Sequence, residues 1–381
     1  MMKILDKKTC SHVTRIRPSL CILLILFLTV CMVSSADTNS GDTGSVTITD
    51  DWGREVILDH PAERIVFGHT AAGEGILLAG GWDKVVGRDA SITNYKFYPN
   101  LDSLPVINGL NQAFTLDFEK ITELEPDLVI LQKKYSDREN FDVIAETLAP
   151  DIPVVGLDFL DPESADSIQK LGVLLGTSDV ADEYVRFHDD TITSIREKTS
   201  SLPDTEKPHV FIDAVGMGPE QISTYGKEAS FWNKICDIAG AKNVAQDLPS
   251  DFVKTVDLEW LLEQDIDSIV VQVWDKEKPE YVGYTATQPA KATEEAEVII
   301  QEISEKDIYS HTDAVQNGQV FVQDYQLANN PKSFIGVVYL AKWIHPDLFA
   351  DINPEQIHQE YLKKFIGTDL DLNNAGIFGY P

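Results

Sequence analysis

LDFEKITELEPDLVILQ, Leu116 to Gln132, lies over VDLEWLLEQDIDSIVVQ, Val256 to Gln272, at a shift of 140 residues. Five of the 17 positions are identical: Asp117/Asp257, Glu119/Glu259, Glu123/Glu263, Asp127/Asp267 and Gln132/Gln272. Both copies read as a short amphipathic helix opened by a capping Asp with an acid in its first turn. Both then close on an apolar run of strand length. A second echo sets LAGG, 78–81, against IAGA, 238–241. A helix-then-strand unit that occurs twice implies two similar α/β lobes.

The flanking sequence agrees. SVTITDDWGREVIL, Ser45 to Leu58, alternates around a DDWG turn and predicts a hairpin. RIVFG at 64–68, KVVGR at 84–88 and IPVVGLD at 152–158 are short apolar runs, hence buried strands. AAGEGILLAGG and FDVIAETLAP between them predict helices. HVFIDAV, DSIVVQVW and QVFVQDY, at 209–215, 267–274 and 319–325, resume the pattern after a helical stretch at 162–202. FIGVVYLAKWI and PEQIHQEYLKKFI close the chain as helices. Alternation of this kind implies parallel sheets covered on both faces. The expected division is an N-terminal lobe at 46–160, bridging helices at 161–203, a C-terminal lobe at 208–366 and a tail at 367–381.

Length and charge are consistent with this. The chain has 381 residues, more than one hydrophobic core usually holds. Apolar residues are 43% and charged residues 24%, which excludes a largely disordered chain. Lys plus Arg number 31 and Asp plus Glu 62, a net charge of −31 that repels phosphate backbones and argues against nucleic acid as a partner.

The leader is the basic exception. Lys3, Lys7, Lys8, Arg15 and Arg17 precede LCILLILFLTVCMV, Leu20 to Val33, and the small residues Ser34, Ser35 and Ala36 follow. The apolar run suits a signal-peptide core better than a membrane span. Residues 1–36 are expected to direct export, and 37–45 to form a flexible tether. Cys31, in Leu-Thr-Val-Cys, resembles a lipid-attachment box with Val30 where Gly or Ala is usual. Beyond the leader only Cys236 remains, so no internal disulfide is expected. Its helical setting predicts a buried core thiol.

Ligands of open α/β sheets bind beyond the carboxyl ends of the strands. In the first half those ends carry His69 and Thr70, then Arg88 followed by Tyr95, then Lys133. In the second half they carry Met217, Tyr225 and Lys227, then Trp274, then Tyr325. Aromatics and bases in an otherwise acidic chain suit a bulky anionic ligand. No G-x-S-x-G, G-x-x-x-x-G-K, H-E-x-x-H or G-x-G-x-x-G occurs. The His residues have no ligand spacing on one helix face, so no metal is expected to be held directly by the protein.

DDWGREVIL, PAERIV and LEPDLVIL, followed by one helical spacer, resemble the solute-binding proteins of ABC importers for iron–siderophores, haem and cobalamin. DLEWLLEQDIDSIVV, NGQVF and YLAKWIHPDLF look like that family's second lobe, so the resemblance spans about Val46 to Ile366. It implies two α/β lobes bridged by a long helix, a monomer, no enzymatic activity and no cofactor of its own. It also implies membrane permease subunits with a cytoplasmic ATPase as partners. One acidic residue on each lobe would dock them: Glu119 and Glu259 by motif position. A ferric siderophore-type chelate leads as cargo. Arg88, Lys133 and Lys227 would neutralise it, and Tyr95, Tyr225 and Trp274 would pack its rings. A corrinoid comes second and haem third, with His69 as a candidate ligand in either. A bare metal ion or oxyanion ranks behind them. Two readings from other classes are a tetrapyrrole metal chelatase, which would turn its ligand over, and a ligand sensor. The stretch 277–297 departs from the family pattern.

Overall fold

Two parallel-rich sheets carry this computed structural model, which describes residues 44–94, 96–110, 112, 114–133, 138–214, 221–227, 230–249 and 253–381. A hairpin opens it, β1 (Val46–Thr49) against β2 (Glu55–Leu58). Asp50 closes its turn by accepting the backbone N–H groups of Trp52 and Arg54, at 3.0 and 2.8 Å. Gly53, at φ +77°, supplies the left-handed step the turn needs.

The N-terminal sheet follows from the apolar runs. In it β3 (Ile65–Gly68) lies between β4 (Val85–Gly87) and β5 (Leu128–Gln132), and β6 (Val154–Leu157) lies outside β5, all parallel. Every residue of β3, β5 and β6 is buried, as strands covered on both faces require. The covering helices are α1 (Thr70–Leu78), α2 (Phe118–Glu123) and α3 (Arg138–Leu148).

Two helices lead to the second lobe. Gly176, at φ +68°, ends α4 (Asp166–Leu175), and α5 (Ser178–Thr199) runs for 22 residues. That is a rod of about 33 Å. The C-terminal sheet repeats the first. Strand β7 (His209–Asp213) lies between β9 (Lys242–Asn243) and β11 (Ser268–Val273), with β12 (Val320–Asp324) outside β11, all parallel. A separate pair joins β8 (Ser223–Tyr225) to β10 (Val253–Thr255). The remaining helices are α6 (Ser230–Ala239), α7 (Leu258–Leu262), α8 (Ala292–Ser304), α9 (Asp313–Gln316), α10 (Ser333–Ile344) and α11 (Pro354–Tyr361).

The repeated aspartates have repeated work. Asp117 caps α2 by accepting the N–H of Lys120 at 3.0 Å, and Asp257 caps α7 by accepting that of Glu259 at 2.8 Å. Asp127 accepts the N–H groups of Glu63 and Arg64, and Asp267 accepts that of His209, each tying β5 or β11 to the start of the neighbouring strand.

The expected tail needs correction. Within 367–381, β13 (Gly379–Tyr380) adds an antiparallel edge to β12, and Ile377 bridges Val282. The exposed edge of β12 is covered by the chain's own end, which makes this segment part of the C-terminal lobe. Cys236 is fully buried, and burial holds its thiol far above the usual range. Among the described residues, no helix is long and apolar enough to cross a membrane.

Helix α10 packs so close to the loop after β12 that a Cβ added at Gly336 would lie 2.0 Å from the Leu327 carbonyl oxygen. We expect Gly336→Ala to cost about 1–3 kcal/mol, the range for overpacking. Chemical denaturation measures it, and an unchanged midpoint would refute the close approach.

Candidate functional site

The carboxyl ends of both sheets turn toward one cavity. Thr70, Ser91, Thr93, Asn94 and Tyr98 come to it from the N-terminal lobe. Trp274, Lys276, Tyr284, Tyr325, Asn329 and Asn330 come from the C-terminal lobe. The cavity holds about 120 Å³. Two larger hollows, of about 750 and 650 Å³, lie on the outer side of the C-terminal lobe and take no residue from the first. Hydroxyls and amides dominate the interlobe lining. Thr70 opens α1, so the positive end of that helix dipole points at the cavity.

A buried ion pair holds the lobes together beneath it. Glu74, on α1, meets the Lys332 ammonium just before α10 at 2.5 Å, with the side chains 8% and 3% exposed. Tyr361 donates to the other Glu74 oxygen at 2.9 Å. Burial, and then the Glu74 charge, push the hydroxyls of Tyr98, Tyr184, Tyr284 and Tyr361 well above their ordinary range, so they stay protonated donors. Tyr184, on α5, donates to the Pro331 carbonyl at 2.8 Å and fixes the approach to Lys332 from the bridging helix. Gly73 and Gly75 let α1 sit this deep. A Cβ at Gly73 would lie 2.3 Å from Ile92, and one at Gly75 would lie 2.6 Å from Phe159.

Three of the sequence-predicted residues, Thr70, Trp274 and Tyr325, line the cavity. The rings of Trp274 and Tyr325 lie 5.3 Å apart, and Lys276 sits 4.6 Å above Trp274. His69 adjoins the cavity and has another task. Its Nδ1 accepts the Ala71 N–H at 3.1 Å, capping α1, while its own N–H donates to Asp89. It holds φ +86°, a left-handed conformation that costs a β-carbon strain. Desolvation lowers its pKa to about 4, against a smaller opposing pull from Asp89. The imidazole is therefore neutral near pH 7.

The expected bases do not converge there. Arg88 spends its guanidinium on the carbonyls of Leu101, Asp89 and Ile92, within its own loop. Lys133 lies 5.4 Å from the Trp52 ring, at the hairpin turn. Lys227 is exposed, and Tyr225 is buried against Phe231 and Trp232 in the core of its lobe. Tyr95, Met217, Cys31 and the leader lie outside the described residues.

Sequence reasoning missed Glu74, Lys332 and Tyr284. Glu74 is a lone acid between two glycines on an otherwise apolar helix, a signal that was available. Tyr284 comes from the unusual stretch 277–297. It packs on Phe97 across the lobes at 4.6 Å, and its hydroxyl lies 2.7 Å from His358 Nε2.

A family model described as periplasmic binding protein matches residues 65–327. The chain belongs to the periplasmic binding protein family. The matched span contains both parallel sheets except the edge strand β13, with the bridging helices between them. An uncharacterized ABC transporter substrate-binding lipoprotein, YvrC of Bacillus subtilis, is 27% identical over 311 residues, 80% of this chain and 87% of that protein. The molybdate-binding protein MolA of Haemophilus influenzae is 24% identical over 348 residues, 87% of this chain and 90% of that protein. The crystal structure of a TroA-like periplasmic binding protein, FepB of Veillonella parvula, superposes with a TM-score of 0.69 at 22% identity, covering 88% of this chain and 98% of that one. The chain's family is one of periplasmic binding proteins, and both relatives are named as binding proteins rather than enzymes. The lobes, the bridge and the cleft expected from the sequence are present.

Removing one member of a buried ion pair leaves an uncompensated charge, at about 3–5 kcal/mol. Lys332→Met should lose that much stability, and Glu74→Gln with Lys332→Met should recover most of it. Additive losses in this double-mutant cycle would show that the pair does not couple the lobes.

Proposed function

We propose that this binding protein captures a compact metal-centred anion, of the class of tetrahedral oxyanions, and delivers it to its importer. The cavity carries this reading. About 120 Å³ is well below the roughly 300–1,000 Å³ of pockets for larger organic ligands. Beside Lys276, Asp275 and the Lys332-paired Glu74, its lining of Thr, Ser and Asn side chains supplies neutral donors, and the α1 dipole favours negative charge. The Haemophilus relative is named for molybdate, a solute of this class.

A second reading keeps the ferric siderophore-type chelate. The Trp274–Tyr325 pair favours it, since two aromatic rings in contact on a cleft wall suit a chelate's organic arms. It requires the lobes to part, because the cavity is too small for such a ligand. Metal analysis and a visible spectrum of protein isolated without refolding separate the two. Molybdenum or tungsten in a colourless sample supports the oxyanion. Iron with a charge-transfer band supports the chelate and overturns the first reading.

Glu119 and Glu259 are proposed to dock the permease subunits. Both are exposed, in the first turns of α2 and α7, and neither forms an ion pair among the described residues. The sheets share one strand order, so the two helices occupy equivalent places on the two lobes. Leu258 and Leu262, 54% and 61% exposed, flank Glu259 with apolar surface. Reversing both charges should abolish uptake and leave cargo affinity within about twofold, since exposed pairs act on encounter rather than on a distant site. Lost cargo affinity in that variant would sink the assignment. Cys31 is proposed as the lipid anchor that keeps the receptor at the membrane.

A further inference from the structure

Two aspartates, one in the cavity wall and one behind it, are arranged in a way that a simple polar lining does not require. Asp275 follows β11 and lines the cavity, and Asp324 ends β12 with no solvent exposure. One residue, Gln326, holds both. Its backbone N–H donates to Asp324 Oδ1 at 3.0 Å, and its side-chain Nε2 donates to Asp275 Oδ2 at 3.0 Å. The other two oxygens, Asp275 Oδ1 and Asp324 Oδ2, are buried without a hydrogen-bond partner among the described residues. Both side chains lie beside Gly283, where an added Cβ would lie 3.5 Å from Asp275 Cβ and 3.5 Å from Asp324 Oδ2.

Two carboxylates held by one residue, Asp324 fully buried and Asp275 half-buried, cannot both keep a full charge at little cost. The neighbouring cations do not resolve this. Lys332 is already bonded to Glu74, and Lys276 lies over the Trp274 ring. Tyr284, beside Gly283, faces His358, whose imidazole burial keeps uncharged, with its pKa lowered to about 3. We infer that Asp275 and Asp324 share one proton across their unpartnered oxygens, and that this proton lets the cavity accept an anionic cargo. Burial, and then the Asp275 charge, push the Asp324 carboxyl up to about 8, while burial raises Asp275 as well. Raising the pH sends the proton to solvent and leaves a second negative charge at the wall. Gln326 lines the cavity itself, so it carries the change to the cargo.

The anion half of this inference rests on the oxyanion reading, and the proton half does not. Two measurements on the full-length protein keep them apart. Infrared difference spectra of the cargo-free protein should show a protonated-carboxyl band at pH 7 that vanishes above about pH 8. Asp324→Asn should remove it, and Asp275→Asn should shift its loss to lower pH. Molybdate affinity, read by Trp fluorescence, should fall roughly tenfold per pH unit above pH 8 if only the protonated form binds. In Asp324→Asn it should be flat across that range. No carboxyl band, or a dependence on sodium in its place, overturns the shared proton. A band with pH-independent molybdate affinity overturns the coupling. A band with no molybdate bound at any pH leaves the proton in place, and overturns the oxyanion reading and with it the coupling.

Discussion

The Glu74–Lys332 pair is the contact on which the arrangement of the two lobes depends. It joins α1 of one lobe to the start of α10 in the other, across 258 residues of chain, out of reach of water. Taking two charges out of water costs several kcal/mol per ion, and only close geometry offsets it. A small slip of one lobe on the other would leave both charges buried and unpaired. The pair is therefore a positional constraint more than a source of stability. Tyr361 and Tyr184 surround it with protonated hydroxyls, one bonded to Glu74 and one to the carbonyl just before Lys332. With the lobes held this way, the strand ends of the two sheets can share one small cavity.

That closeness also decides what the cavity suits. Packing of α1 through Gly73 and Gly75, and of Tyr284 against Phe97, brings the walls near enough to leave about 120 Å³. Recognition then rests on short polar side chains and a helix terminus, because there is no room for a ring of long cations. The net charge of −31 does not oppose an anionic cargo here. Surface charges are screened over about 10 Å at moderate salt, and of the lining carboxylates Glu74 is neutralised by Lys332.

The duplication shows where symmetry ends. The capping aspartates and the strand-tying aspartates do the same work in both lobes, since local helix and strand starts have the same unsatisfied N–H groups. The paired glutamines diverge. Gln132 bonds Asp158 and the Phe159 N–H, whereas the buried amide of Gln272 has no partner among the described residues. Residues at the ends of strands answer to the loops that follow them, and those loops differ between the two lobes.

Much of the fold was legible without coordinates. Apolar runs such as Ile65–Gly68 and Ser268–Val273 could only be strands buried on both faces, and the repeat at 116–132 and 256–272 announced two lobes. These features arise from hydrophobic period, caps and turns, which act over a few residues. The position of Thr70, Trp274 and Tyr325 at strand ends was also legible, because parallel sheets expose one edge to ligands. Which neighbours at those ends face inward was not. Arg88 and Lys133 occupy the right loops and turn back into their own lobe. By itself, the sequence determined the two α/β lobes, the bridge between them and the membership of the family. The tertiary structure alone decided that Glu74 meets Lys332, that Tyr284 enters from 277–297, and how small the cavity is. Pairings at that range depend on how one rigid lobe sits on the other, and no local propensity encodes that orientation.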